Sequence, residues 1–311
     1  MSRGGLKLSL LMALSVLYLM GSISCQRNGS PTSPFHSILG GYGLQSGRFN
    51  RPRGIVYHSD EACLFVVDWS GRIQKLTLEG HVRASWIMPL IEKGKAEDLC
   101  VGRDGNLFVA DTHYSRIVEY TPKGEWVNCF GRYGMGPGEF VYPVGLCRDA
   151  QGHLYVSEYG EVDRIQVFEE DGTFLYTWGE TGTEDGQFQR PGGMDISKDG
   201  ELFVADSVNH RVQVFTLKGE WRRTLGEEGR GPGQFRYPYD VAVRGKDLFV
   251  IEYGNHRIQK MTLQGEFLAM RGGPGSEDGQ FASPWRCCVA QGMLFVSDTD
   301  NHRVVGMGET F

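Results

Sequence analysis

The 311-residue sequence predicts an all-β fold: a ring of six four-stranded blades, the last completed by a short strand at about residues 35–40. Three observations carry that prediction. Glycine supplies 44 residues, roughly twice ordinary usage, as many tight turns require. A unit of strand, acid, short polar turn, Arg and second strand recurs six times. The two ends of the repeating region hold complementary parts of one unit. A hydrophobic content of 40% against 23% charged residues can fill a sizeable core. Collagen is excluded because Gly follows no three-residue period, and a helical bundle is disfavoured by so much Gly.

The first element is an address. Arg3 and Lys7 precede an uncharged run at residues 8–20, followed by Gly21, Ser22, Ile23, Ser24 and Cys25. A charged start, an apolar middle and a small-residue end form a signal peptide. Thirteen helical residues span about 20 Å, short of a ~30 Å hydrocarbon core, so a membrane-spanning anchor is the weaker reading. Ser22-Ile23-Ser24-Cys25 resembles a bacterial lipobox, with Ser22 where that family carries Leu. The resemblance implies cleavage before Cys25, a lipid on its thiol, and a membrane-anchored lipoprotein facing periplasm or cell surface. Gln26 in place of Asp further implies outer-membrane retention in a Gram-negative cell. Conventional cleavage and plain secretion is the alternative. Polar residues 26–34, ending in Pro-Thr-Ser-Pro, read as a flexible linker, and the propeller proper as 35–311.

The remaining cysteines are Cys63, Cys100, Cys129, Cys147, Cys287 and Cys288. None forms a CxxC pair, so no disulfide framework is expected.

The repeat can be followed along the chain: LFVVDWSGRIQKL, LFVADTHYSRIVEY, LYVSEYGEVDRIQVF, LFVADSVNHRVQVF, LFVIEYGNHRIQKM and LFVSDTDNHRVVGM. Its arginines are Arg72, Arg116, Arg164, Arg211, Arg257 and Arg303, spaced by 44, 48, 47, 46 and 46 residues. Its acids are Asp68, Asp111, Glu158, Asp206, Glu252 and Asp298. Turns such as Asp199-Gly200 precede the first of these strands, and turns such as Lys218-Gly219 follow the Arg strand. An aromatic-rich strand, a Gly-rich loop and Pro-x-Gly/Asp complete each unit, so a unit holds four strands and reads as a propeller blade. The last unit stops after its third strand. Phe35-His36-Ser37-Ile38-Leu39-Gly40 matches the missing fourth strand, so it should pair beside residues 302–308 and close the ring.

The triplets in NHRVQVF, NHRIQKM and NHRVVGM, with the Gly-rich loops and Pro-x-Gly, resemble NHL repeats over residues 35–311. That resemblance implies the six-bladed propeller. For function it implies only a range: protein binding, RNA binding, ligand sensing and occasional catalysis.

A site is rarely built six times over, so the acid–Arg pairs and His210, His256 and His302 read as scaffold. Gly-rich loops and acid-to-Arg turns should share one face, here called the top. Residues there that differ between blades are the binding candidates: Arg53, Trp69, Asp98, Tyr142, Tyr159, Asp195, Tyr237, Tyr239, Asp240, Tyr253, Trp285 and Arg286. Aromatics and Arg give large contact area with a polar handle. The loop 88–94 ahead of the second blade lacks the Gly-rich pattern, which makes the gap between the first two blades a candidate groove, with repeat decay as the plainer reading. The column Val56, Cys100, Cys147, Asp195, Ala242 and Cys288 carries metal-ligand residue types, but small residues also suit the taper towards the axis.

The function expected is therefore a non-catalytic binding propeller at the cell envelope, taking a protein, peptide or glycan on its top face, as a monomer with no cofactor. No catalytic residue and no metal ligand is assigned. The alternative is a metal-dependent propeller enzyme, lyase or lactonase-like. A resemblance to the peptide-amidating lyase would require His before the loop Phe, where this chain has Arg48, Glu139, Gln187, Gln234 and Gln280. A lactonase-like calcium cluster would draw on Asp98, Asp195 and Asp240 without a matching Asn. Nucleic acid is disfavoured by the export signal and a net charge of -6.

Overall fold

The computed structural model describes residues 35–92 and 96–308. The leader, Cys25, the linker and the three C-terminal residues lie outside the described residues. Six antiparallel four-stranded sheets make six blades. The first runs Pro52–His58, Cys63–Asp68, Arg72–Leu76 and Val82–Ile87, and the fourth runs Pro191–Ile196, Glu201–Asp206, Arg211–Thr216 and Trp221–Leu225. The sixth is built from Pro284–Ala290, Met293–Asp298, Arg303–Met307 and the N-terminal Ser37–Gly40. Ser37 pairs with Gly306 and Gly40 with Arg303, so the expected closure by residues 35–40 is present.

Burial is graded from axis to rim. The second strand of the first blade is buried throughout, whereas its fourth alternates half-buried and exposed. The core is divided into six wedges, each between neighbouring blades. One wedge joins the last blade to the first through Leu39, Phe49, Leu64, Val66, Phe295 and Val304. The Gly-rich loops contribute Phe49, Phe140, Phe188, Phe235 and Phe281, all fully buried, and each side chain stabilises its wedge by about 1.5–3 kcal/mol.

The Pro-x-Gly/Asp signature has two physical causes. First, the pairing of the opening strand slips just after the Pro in five blades, for example between Pro52 and Ile55, a bulge where Pro need not donate to the ladder. Second, the blades converge there. A Cβ on Gly145 would lie 2.3 Å from the carbonyl oxygen of Gly192 in the next blade, so no side chain fits.

The acid–Arg pairs form in every blade. Arg211 Nε donates to Asp206 Oδ2 at 2.7 Å, and Arg164 Nε to Glu158 Oε1 at 2.6 Å. The same guanidinium reaches across to the Gly-rich loop, as when Arg211 Nη2 donates to the carbonyls of Glu184 and Gln187. A second device recurs in four blades. Buried Gln213 donates to the Gln187 carbonyl and accepts from Gly186 N–H, and Gln74, Gln166 and Gln259 do the equivalent. Turns and Gly-rich loops thus share one face, as the chain path predicts. The NHR histidines are scaffold too: His210 Nδ1 accepts the Tyr237 N–H at 3.0 Å and His302 Nδ1 the Arg51 N–H at 3.0 Å, each tying one blade to the next.

The second blade departs as its loop sequence suggests. Met88 and Ala96 are buried in the wedge between the first two blades, with Ile91 packed against it. Among the described residues this gap is therefore filled rather than open. Among the described residues of that loop, Arg116 reaches the Pro89 carbonyl at 3.5 Å.

Candidate binding site at the mouth of the channel

The top of the axis is a compact layer of rings and guanidinium groups. Arg53 lies between two indoles, its guanidinium carbon 4.2 Å from the Trp69 ring and 4.3 Å from the Trp285 ring. It also forms a close ion pair with Glu97, whose other oxygen accepts the Trp285 Nε1–H at 2.8 Å. Burial, reinforced by Arg51, Arg286 and Arg190, pulls the Arg53 pKa down to about 9. Tyr239 stacks on Tyr253 at 4.6 Å and 15°, and both meet the Trp285 ring edge-on. Arg190 bridges Tyr159 and Tyr239 at 4.8 and 5.4 Å, and Tyr142 extends the layer from Tyr159 at 5.3 Å.

Beneath this layer Arg286 crosses the axis. It is 3% exposed, donates from Nη2 to the Val144 carbonyl at 2.6 Å, and hydrogen-bonds the Tyr239 carbonyl through Nη1. Asp98 and Asp240 flank it, at 3.5 and 3.8 Å. Arg286 is thus a floor. The small pocket above it is lined by Glu97, Tyr159, Arg190, Tyr239 and Trp285 among others, and shares no lining residue with the channel cavity of about 340 Å³ below.

That lower cavity holds the cysteine–aspartate column. Its carboxylates have structural partners. Asp98 Oδ2 accepts the Leu146 N–H at 3.0 Å, Asp195 Oδ2 the Val243 N–H at 2.7 Å and Asp240 Oδ2 the Cys287 N–H at 2.7 Å, each joining its blade to the next. Enclosure in the channel raises the Asp195 pKa to about 6 against its bonds from the Val243 and Ile196 N–H groups, and raises Asp98 and Asp240 as well. The thiols are pushed up by burial, Cys100 to about 12 and Cys147 and Cys287 well above the usual thiol range. Among the described residues no group of three or more His, Cys, Asp or Glu is placed to hold a metal ion. The six described cysteines are free.

Of the sequence candidates, the structure brings Arg53, Trp69, Tyr142, Tyr159, Tyr239, Tyr253 and Trp285 into one layer. Asp98, Asp240 and Arg286 lie below it, and Asp195 lower still. Tyr237 turns aside to pack on His210 at 4.5 Å. Sequence reading places Glu97 among the varying top-face positions without selecting it, and passes over Arg190. The signal for Arg190 was present, since it stands directly before Pro191 as Tyr142 and Tyr237 stand before their prolines. For Glu97 it was weaker, because its blade lacks the Pro.

The NHL repeat family model matches residues 188–215. Protein brain tumor of Drosophila melanogaster is 31% identical over 78 residues, which is 25% of this chain and 7% of that protein. NHL repeat-containing protein 3 of Homo sapiens is 28% identical over 116 residues, 36% of this chain and 32% of that protein. The matches therefore span a third or less of these relatives' length. Virginiamycin B lyase from Staphylococcus aureus superposes with a TM-score of 0.60 at 17% identity, covering 87% of this chain and 98% of that one, a likeness of fold alone. The repeat match and the six-bladed ring together support an NHL-repeat propeller.

Proposed function

We propose that the chain is a non-catalytic binding module, exported and held at the cell envelope by a lipid on Cys25, that takes a protein, peptide or glycan at the mouth of its channel. The observation that supports this most is the layer of Arg53, Trp69, Tyr159, Arg190, Tyr239, Tyr253 and Trp285. Half-buried aromatic rings held rigid by guanidinium partners present contact area at little entropic cost, which is what binding hot spots use. The scaffold does not require an aromatic ring at the turn positions of Trp69, Tyr159 and Tyr253, because the corresponding residues in the other blades are Thr112, Ser207 and Thr299, whose hydroxyls hydrogen-bond the carbonyl of the next blade.

The metal-dependent enzyme reading is the weaker one. The axial carboxylates that would serve it are occupied by backbone N–H groups of neighbouring blades.

The test is affinity capture from envelope extract on the immobilised full chain. Retention should be lost when Tyr253 and Trp285 are both replaced by Ala and kept when Trp221, exposed on an outer strand, is replaced by Ala. Equal retention by both variants, or turnover of a small molecule with nothing retained, would contradict the proposal.

A further inference from the structure

We propose that the pocket beside Arg190 is a carboxylate subsite, which seats the carboxylate head of a ligand whose apolar body lies on the rings of Tyr239, Tyr253 and Trp285. This rests on the reading of the mouth as a binding surface and supplies its ligand chemistry.

Three observations lead there. The first is charge. The other guanidinium groups of the mouth have carboxylate partners: Arg51 with Asp300 at 2.7 Å, Arg53 with Glu97, and Arg286 between Asp98 and Asp240. Arg190 has none among the described residues. Its backbone N–H donates to Asp163 Oδ1 at 3.2 Å, while its guanidinium rests on two tyrosine rings. A stacked guanidinium keeps its in-plane N–H edge for a bidentate acceptor.

The second is the balance of donors and acceptors. Several acceptors that line the pocket already have donors. The Gly192 carbonyl accepts from Ser157 Oγ at 2.6 Å, the Val144 and Tyr239 carbonyls accept from Arg286, and Glu97 is held by Arg53 and Trp285. Of the two guanidinium groups that line the pocket, Arg286 is paired with carboxylates and, among the described residues, Arg190 is not, so the pocket favours an anionic head.

The third is size. The pocket measures about 20 Å³. A single water needs roughly 10–15 Å³ on this measure, so the space takes only a small polar head, and a carboxylate is smaller than a phosphate.

The test is an NMR titration of the full chain, following the arginine Nε–H and tryptophan indole N–H resonances. The probes are N-acetylphenylalanine, its carboxamide, an end-blocked Phe-Glu dipeptide, and inorganic phosphate. The acid should shift the Arg190 and Trp285 resonances saturably, with the carboxamide about tenfold weaker or more. A response to the Phe-Glu probe would assign the carboxylate to a side chain, and a response to N-acetylphenylalanine alone to a chain terminus; either supports the subsite. Arg190→Gln should erase the acid–amide difference and Arg190→Lys should keep part of it, both with the remaining spectrum unchanged. Equal binding of acid and amide, full selectivity in Arg190→Gln, or phosphate binding tighter than the acid would overturn the proposal. If the variants fail to fold, the acid–amide contrast in the parent chain decides alone. Envelope capture through the mouth without that contrast would leave the binding module standing and remove only the subsite.

Discussion

The hydroxyl of Thr299 donates to the carbonyl of Pro52 at 2.6 Å, across 247 residues of sequence. The same bond joins Thr112 to Pro143 and Ser207 to Pro238 within the run of the chain. The seam between last and first blade is therefore stitched like the second-to-third and fourth-to-fifth junctions, and the strand at residues 37–40 completes it. Removing residues 35–40 should strip the Arg303–Met307 edge and take Leu39 out of its wedge. Leu39→Ala alone should cost about 2–5 kcal/mol, and Thr299→Val about 1 kcal/mol. Denaturant unfolding measures both. An unchanged midpoint in the truncated chain would show that the seam is not closed by this strand.

This junction also shows how much of the fold was legible. The missing fourth strand could be read from the phase of the repeat, because strand, acid, turn and Arg recur at fixed spacing. What the repeat could not show was height along the axis. Asp98, Asp240 and Arg286 stand one residue from Glu97, Tyr239 and Trp285 in sequence, yet lie below them in the channel. Alternation along a strand sends neighbours to opposite sides, and the bulge after Pro resets that alternation at the mouth. Glu97 and Arg190 matter because of partners 188 and roughly 30–50 residues away, a relation no local motif carries.

The acid–Arg pairs should behave as scaffold. Glu158 is fully buried and is held by Arg164 and Gln166. Arg164→Ala leaves that carboxylate without its charge partner and should cost about 3–5 kcal/mol. Exposed Arg222→Ala should change stability by no more than about 0.5 kcal/mol. Thermal unfolding of the two variants side by side is the check.

Asp195 gives a pH signature with a definite sign. Its pKa is raised from 3.8 to about 6 in the folded chain, so the folded state holds an extra proton between those values. Its contribution is most favourable below about pH 4 and is lost as pH rises through 6. Asp195→Asn should flatten that part of the stability profile. A carboxyl carbon resonance of Asp195 with its midpoint near pH 4 would contradict the assignment.

Thiol reactivity should separate rim from channel. Cys129 is exposed on an outer strand, whereas Cys63, Cys100, Cys147 and Cys287 are buried. Among the six described cysteines, brief alkylation of the native chain should label Cys129 first, by peptide mass spectrometry. Equally rapid labelling of Cys147 would mean that the channel opens readily.

The most direct test of the mouth as a binding surface is photo-cross-linking in the intact cell, with a photoreactive residue placed at Tyr253, at Leu268 on an outer strand, or at Asp195 in the lower channel. A saturable adduct from position 253, with none from 268 or 195, is the predicted result. Adducts from the outer strand or the lower channel, with none at the mouth, would contradict it.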